Sequence, residues 1–264
     1  MRVARTLFRM EQVRPICDFP FRRFAIGQGP TSLRVARIIA LLSTSRILDK
    51  SFSAFLFDMD GTIISSIAAA ERVWGNWAKG HGLDVEAFLP TMHGVRGIDT
   101  IRRLALPGVD VEAEAKEIER LEIEDMEGVV PIAGAVAFLK SLPADRWAIV
   151  TSAPVALARL RLEAAGIPVP KVFITAEDVT KGKPAPDGYL LGASKLGVEA
   201  ADCLVFEDVP AGILAGEGAG ASVMVISATH SHPLDTGHAS IASYEDVSIE
   251  VEADGRLALL RTKG

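Results

Sequence analysis

The stretch Ala54-Phe55-Leu56-Phe57-Asp58-Met59-Asp60-Gly61-Thr62 decides the fold. Four apolar residues closed by two acids and a glycine read as a short strand, buried on both faces, with charge at its carboxyl end. A period of two sets Asp58 and Asp60 on one side and turns Met59 away, and Gly61 lets the chain turn. Neighbouring carboxylates can divide labour when their surroundings separate their pKa values. One stays ionised as a nucleophile, while the other keeps a proton for a leaving group. The plainer alternative is an acidic turn after a strand. An EF-hand loop fails, because with Gly61 as its glycine Leu56 and Ile67 would take the first and last ligand positions.

The same kind of run recurs further along. Trp147-Ala148-Ile149-Val150 leads into Thr151-Ser152, Cys203-Leu204-Val205-Phe206 into Glu207-Asp208, and Val223-Met224-Val225-Ile226 into Ser227. Residues 133–142, 154–165, 186–196 and 210–217 lie between or after these runs, with apolar spacings of three and four. Pro154, Pro186 and Pro210 sit where a first helical turn tolerates proline. Strand alternating with helix predicts an α/β fold: a doubly wound, Rossmann-like parallel sheet with its chemistry at the carboxyl ends of the strands. Residues 66–131 break the alternation. They are rich in Ala, Glu and Arg, contain no run that reads as a strand, and include an acidic amphipathic helix over 111–126. They are expected to form an inserted helical cap, with 51–65 and 132–264 making the catalytic core.

Charge draws another boundary. Residues 1–50 hold nine Arg and one Lys against three acids, whereas the rest of the chain carries 18 basic and 31 acidic residues. A targeting peptide, a basic arm and a disordered extension all fit the first fifty residues, and the lack of any steady period favours the extension. The whole chain is 49% hydrophobic with a formal charge of −6, enough for a sizeable core and without the basic face of a nucleic-acid binder. No apolar run approaches the ~18–20 residues that span a bilayer. Two cysteines, Cys17 and Cys203, imply no disulfide framework, so a reducing, cytoplasmic setting is expected.

Taken singly, Thr151 or Ser152 could be a helix cap, Lys183 in Gly182-Lys183-Pro184-Ala185-Pro186-Asp187 a solvated lysine, and Glu207-Asp208 exposed acids. Their occurrence in order, with the acidic and hydroxyl groups at the strand ends of one sheet, argues for a site. Asp58 to Thr62, Thr151, Lys183 and Glu207-Asp208 together resemble the four motifs of the haloacid dehalogenase (HAD) superfamily, over about residue 52 to the C-terminus. The placement of the cap, with Glu71-Arg72-Val73-Trp74 and Glu207-Asp208-Val209-Pro210-Ala211-Gly212, is similar to the sugar-phosphatase, 2-deoxyglucose-6-phosphatase and glycerol-phosphatase branch, which is related to β-phosphoglucomutase.

That resemblance implies a phosphoric monoester hydrolase that takes small sugar or polyol phosphates through an aspartyl-phosphate. Asp58 would be the nucleophile and Asp60 the acid and base. Thr151, Ser152 and Lys183 would hold the phosphoryl group, and Mg²⁺ would be bound by Asp58, the Asp60 carbonyl, Asp208 and Glu207. Charge counting agrees: three carboxylates and a phosphoryl dianion face one lysine, and like charges ~4 Å apart cost roughly 4 kcal/mol per pair at an effective dielectric near 20. An oxygen-ligated cation relieves this.

The alternative is a phosphosugar mutase. Ala70 and Gly97 stand where β-phosphoglucomutases carry a cap histidine and arginine, which favours hydrolysis, and Asp60 argues against the dehalogenase branch. Arg96, beside His93 and Gly94, is the candidate for substrate selection. Trp74 and Trp77 read as cap core, and His230, His232 and His238 as a solvated loop. Gly216-Glu217-Gly218-Ala219-Gly220-Ala221 ends a helix and so lacks the setting of a dinucleotide site. The expected partner is a small phosphorylated metabolite, with no nucleic acid or membrane, and the chain is expected to be a monomer or weak homo-oligomer.

Overall fold

A computed structural model describes residues 44–232 and 234–262. The expected extension therefore lies outside the described residues up to position 43. Within its last part Thr44–Arg46 form strand β1, which pairs antiparallel with β11 (Leu257–Thr262). β11 pairs in turn with β10 (Val247–Val251).

The main sheet has six parallel strands in the order β6-β5-β2-β7-β8-β9. These are β2 (Ala54–Phe57), β5 (Trp147–Val150), β6 (Val172–Ile174), β7 (Cys203–Glu207), β8 (Ser222–Ile226) and β9 (Ala239–Ile241). Every residue of β2, β5 and β7 is buried, which is why these strands are continuous apolar runs rather than alternating ones. Short, partly exposed β6 and β9 have no such run and were not expected.

Alternate residues of β2 build two cores. Phe55 and Phe57 join Ile149, Leu204 and Phe206 on one face, under α5 (Ala135–Ser141) and α6 (Val155–Ala164). Ala54 and Leu56 join Ala148, Val150 and Val205 on the other, under α7 (Asp187–Leu196) and α8 (Pro210–Gly218). Phe57 stacks on Phe206 at 4.4 Å between ring centroids. The sheet is thus doubly wound. From β2 the chain runs first toward β5 and β6, then back to β7, β8 and β9. The end of β2 therefore faces the crevice where the winding reverses, the usual ligand site of such sheets.

The chain leaves and re-enters this core through a two-stranded stalk, β3 (Ile64–Ser65) against β4 (Val130–Pro131). Val130 and Pro131 lie in the stretch read as strand-free; two residues are too few to leave a periodic signal. Beyond the stalk are helices α1 (Ile67–Gly80), α2 (Val85–Phe88), α3 (Gly97–Leu104) and α4 (Val111–Glu124). Asp110 caps α4 by accepting from the Glu112 and Ala113 amides. These helices share their own core of Trp74, Trp77, Phe88, Met92, Ile101 and Ile118. No helix among the described residues is long and apolar enough to cross a membrane.

Candidate active site

The carboxyl ends of β2, β5 and β7 bring Asp58, Thr151, Glu207 and Asp208 to one place, and the loop before α7 adds Lys183. All five are buried. The Lys183 ammonium donates to Asp58 Oδ1, to Glu207 Oε1 at 2.6 Å and to the Val150 carbonyl at 3.2 Å. Glu207 also accepts from the Tyr189 hydroxyl at 2.7 Å and from the Asp208 amide at 3.0 Å. Both of its oxygens therefore already serve protein donors. Gly212 makes this packing feasible, since a Cβ there would fall 1.7 Å from Glu207 Oε1.

Gly61 has a parallel role beside Asp208. Its φ of 88° lies in the left-handed region, and a Cβ would fall 1.9 Å from Asp208 Oδ2. Thr62 Oγ1 donates to the other oxygen, Oδ1, at 3.1 Å. Thr62 is itself tied down through its carbonyl, which accepts from Tyr244 at 3.1 Å.

Crowding of buried acids governs the electrostatics. Burial, reinforced by Glu207 and opposed by Lys183, pushes Asp58 up to about 8. Burial, with Glu207 and Asp58 beside it, pushes Asp208 well above the ordinary carboxylate range. Burial works against the charge of Lys183, yet Asp58 and Glu207 together hold it above its usual value. Asp58, Glu207 and Asp208 each offer a carboxylate oxygen within 4.8 Å of the others. Hard oxygen donors at that spacing, in surplus over one ammonium, suit a divalent cation such as Mg²⁺.

A cavity of about 490 Å³ opens between this cluster and the cap, lined by Asp58, Asp60, Thr151, Ser152, Arg96 and Arg161 among others. Thr151 caps the turn after β5, its hydroxyl accepting from the Ala153 amide at 3.1 Å. Ser152, expected to hold phosphate, donates its hydroxyl to the carbonyl of Gly94 in the cap at 2.8 Å. Arg96, expected to select substrate, lines the cavity but is engaged elsewhere. Its guanidinium donates to Asp99 at 2.6 Å and to the carbonyls of Val179 at 2.8 Å and Thr180 at 3.0 Å. It rests against Gly182, just before Lys183. Ser152 and Arg96 thus fasten the cap to the core.

Asp60 brings in residues the sequence reading missed. Its Oδ1 accepts from the Ser66 hydroxyl and from Arg161 Nη1 at 3.1 Å. Arg161 Nη2 donates to Glu122 Oε1 on α4 at 3.0 Å. Arg161 belongs to the buried face of α6 with Leu157, Ala158 and Leu162, and Glu122 to the buried face of α4 with Ile118. A charged residue in phase with an apolar stripe was the available signal. Of the expected solvated histidines, His230 reaches inward, its Nε2 lying 2.6 Å from the Asp208 carbonyl.

The haloacid dehalogenase-like hydrolase family model matches residues 52–220. Hexitol phosphatase A of Escherichia coli (strain K12) is 41% identical over 206 residues, which are 76% of this chain and 95% of that protein. Glycerol-1-phosphate phosphohydrolase 2 of Saccharomyces cerevisiae is 36% identical over 197 residues, 70% of this chain and 79% of that protein. The crystal structure of a hydrolase from Pseudomonas syringae, 25% identical, aligns with a TM-score of 0.58 over 67% of this chain and 84% of its own.

Proposed function

The chain belongs to the haloacid dehalogenase-like hydrolase family, and from that premise we propose that it is a Mg²⁺-dependent phosphatase of small sugar or polyol phosphate monoesters. The observation that carries the reading is the meeting of Lys183, Asp58 and Asp208 at the switch point of the sheet.

In the first step an Asp58 oxygen attacks phosphorus in line. The bond to the ester oxygen breaks, and that oxygen takes its electron pair and a proton from Asp60. The alcohol leaves and an aspartyl-phosphate remains. In the second step Asp60, now ionised, accepts a proton from water as the water oxygen attacks phosphorus. The bond to the Asp58 oxygen breaks, releasing inorganic phosphate and restoring both carboxyl groups.

Thr151, which lines the cavity, would hold a phosphoryl oxygen, and Lys183 would offset phosphoryl charge. Asp58, Asp208 and the Asp60 carbonyl would hold Mg²⁺, which when bound neutralises phosphoryl charge that one lysine cannot. Glu207, first read as a possible ligand, is assigned to orienting Lys183, because protein donors already occupy its oxygens. Cys203 is no competing nucleophile: burial pushes its thiol up to about 12. Ala70 and Gly97 line the cavity and offer no group to hold a second phosphate, which supports hydrolysis over phosphosugar mutation. Cys203 is buried and in no disulfide among the described residues, in keeping with the proposed cytoplasmic setting.

The test is phosphate release from hexitol, hexose and glycerol phosphates with Mg²⁺. Stoichiometric phosphate is expected from at least one ester. Asp58→Asn should lower kcat by about 10⁴-fold or more, as removal of a covalent nucleophile does. Undiminished turnover in that variant would sink the assignment.

A further inference from the structure

Arg161 has no part in the chemistry described so far, yet its setting is costly. Its side chain is 4% exposed, and its Nε has no partner among the described residues. A guanidinium so placed is tolerated only through its carboxylate partners, Asp60 and Glu122. Asp60, Glu122 and Arg161 come from three separate elements: the loop after β2, helix α4 and helix α6 respectively.

The geometry at Asp60 gives this arrangement a use. Ser66 and Arg161 both donate to Oδ1, and among the described residues no hydrogen bond reaches Oδ2. With Oδ1 taken up by two donors, a proton that Asp60 carries during the reaction sits on Oδ2. Asp60 lines the cavity where the ester must lie. The planar fork of arginine grips two carboxylates at a fixed spacing, which lysine cannot do. Glu122 anchors the far side of that fork, so the grip is complete only when α4 is seated on α6.

We propose that Arg161, anchored to the cap by Glu122, is a positioning residue for proton transfer: it fixes the Asp60 carboxyl so that Oδ2 serves the departing oxygen. This rests on the phosphatase reading and deepens it. Both of the ion pairs of Arg161 go to carboxylates, Asp60 and Glu122, so its role is assigned through Asp60.

The test compares two leaving groups. A polyol phosphate departs as a poor alkoxide and needs a proton, whereas p-nitrophenyl phosphate departs as a stabilised phenolate and does not. The quantity to compare is kcat/KM, which covers steps through loss of the leaving group. Asp60→Asn sets the benchmark, with a loss concentrated on the polyol ester. If it shows no such bias, the acid assignment fails, independently of Arg161.

For Arg161→Gln, kcat/KM on the polyol ester should fall about 100-fold, the usual scale of acid–base assistance, and by no more than about 5-fold on the aryl ester. Arg161→Lys should recover part of the loss. Glu122→Gln should show the same bias at smaller size, and decides the matter if Arg161→Gln does not fold. Equal losses on both esters, or none on either, would overturn the proposal.

Discussion

Gly212→Ala separates local propensity from the demands of the site. In an ordinary helix the change gains about 1 kcal/mol. Here the new methyl would lie 1.7 Å from Oε1 and 1.9 Å from Cδ of Glu207, where ordinary contact begins near 3.4 Å. The carboxylate must retreat by about 1.7 Å, and its bonds to Lys183 and Tyr189, now 2.6 and 2.7 Å long, pass beyond hydrogen-bonding range. Glu207 is 0% exposed, so water cannot replace them. Each hydrogen bond to a charged group contributes about 1.5–3 kcal/mol. After the helical gain the variant should be less stable by about 3 kcal/mol. For a folded unit of this size that lowers Tm by about 6–12 °C. Lys183 also loses one of its two anchoring carboxylates, so kcat/KM should fall about 100-fold. Calorimetry and phosphate release, with Mg²⁺ saturating, measure both effects. A variant that melts within 2 °C of the parent at full activity would refute the claim that Glu207 is fixed by close packing.

Other consequences follow from the same geometry. Asp58 and Asp208 have raised pKa values in the folded chain, so the metal-free fold binds more protons than the unfolded chain. This contribution to stability is complete below the unfolded value of about 4 and is lost as pH rises toward about 8. Metal-free Tm should therefore fall from pH 5 to 8, and the rise in Tm on adding Mg²⁺ should be larger at pH 8; a constant Mg²⁺ effect across that range would contradict it. Gly61→Ala, strained by its φ and crowding Asp208, should weaken Mg²⁺ binding about tenfold or more, as read by titration calorimetry. Arg96→Ala should raise KM about tenfold and quicken hydrogen exchange across residues 176–183, and unchanged exchange there would count against its fastening role.

The parts of this protein that were legible in its sequence are those encoded in contiguous runs. Phe55-Leu56-Phe57-Asp58 announces a buried strand and the acid at its end, and the meeting of Asp58, Lys183, Glu207 and Asp208 follows from a doubly wound sheet with loops at one edge. Strands β6 and β9 were missed because they are only three residues long, and β10 and β11 because each loses its burial toward one end, and the pairing of all four is a long-range property. The same limit hid the link from Arg161 to Glu122, 39 positions apart. Ser152 and Arg96 are expected as substrate contacts and both line the cavity, but the sequence marks a polar residue near the site and not which way it turns. The structure turns both toward backbone carbonyls.

That choice of acceptor has its own meaning. Arg96 grips main-chain oxygens at Val179 and Thr180 and leaves their side chains alone. Substitutions at those two positions can accumulate without loosening the clasp, provided the chain keeps its path. This joint between the inserted helices and the loop beside the sheet is thus insulated from mutational drift on one side, and on the other it rests on Arg96, with the Ser152–Gly94 bond as its second tie.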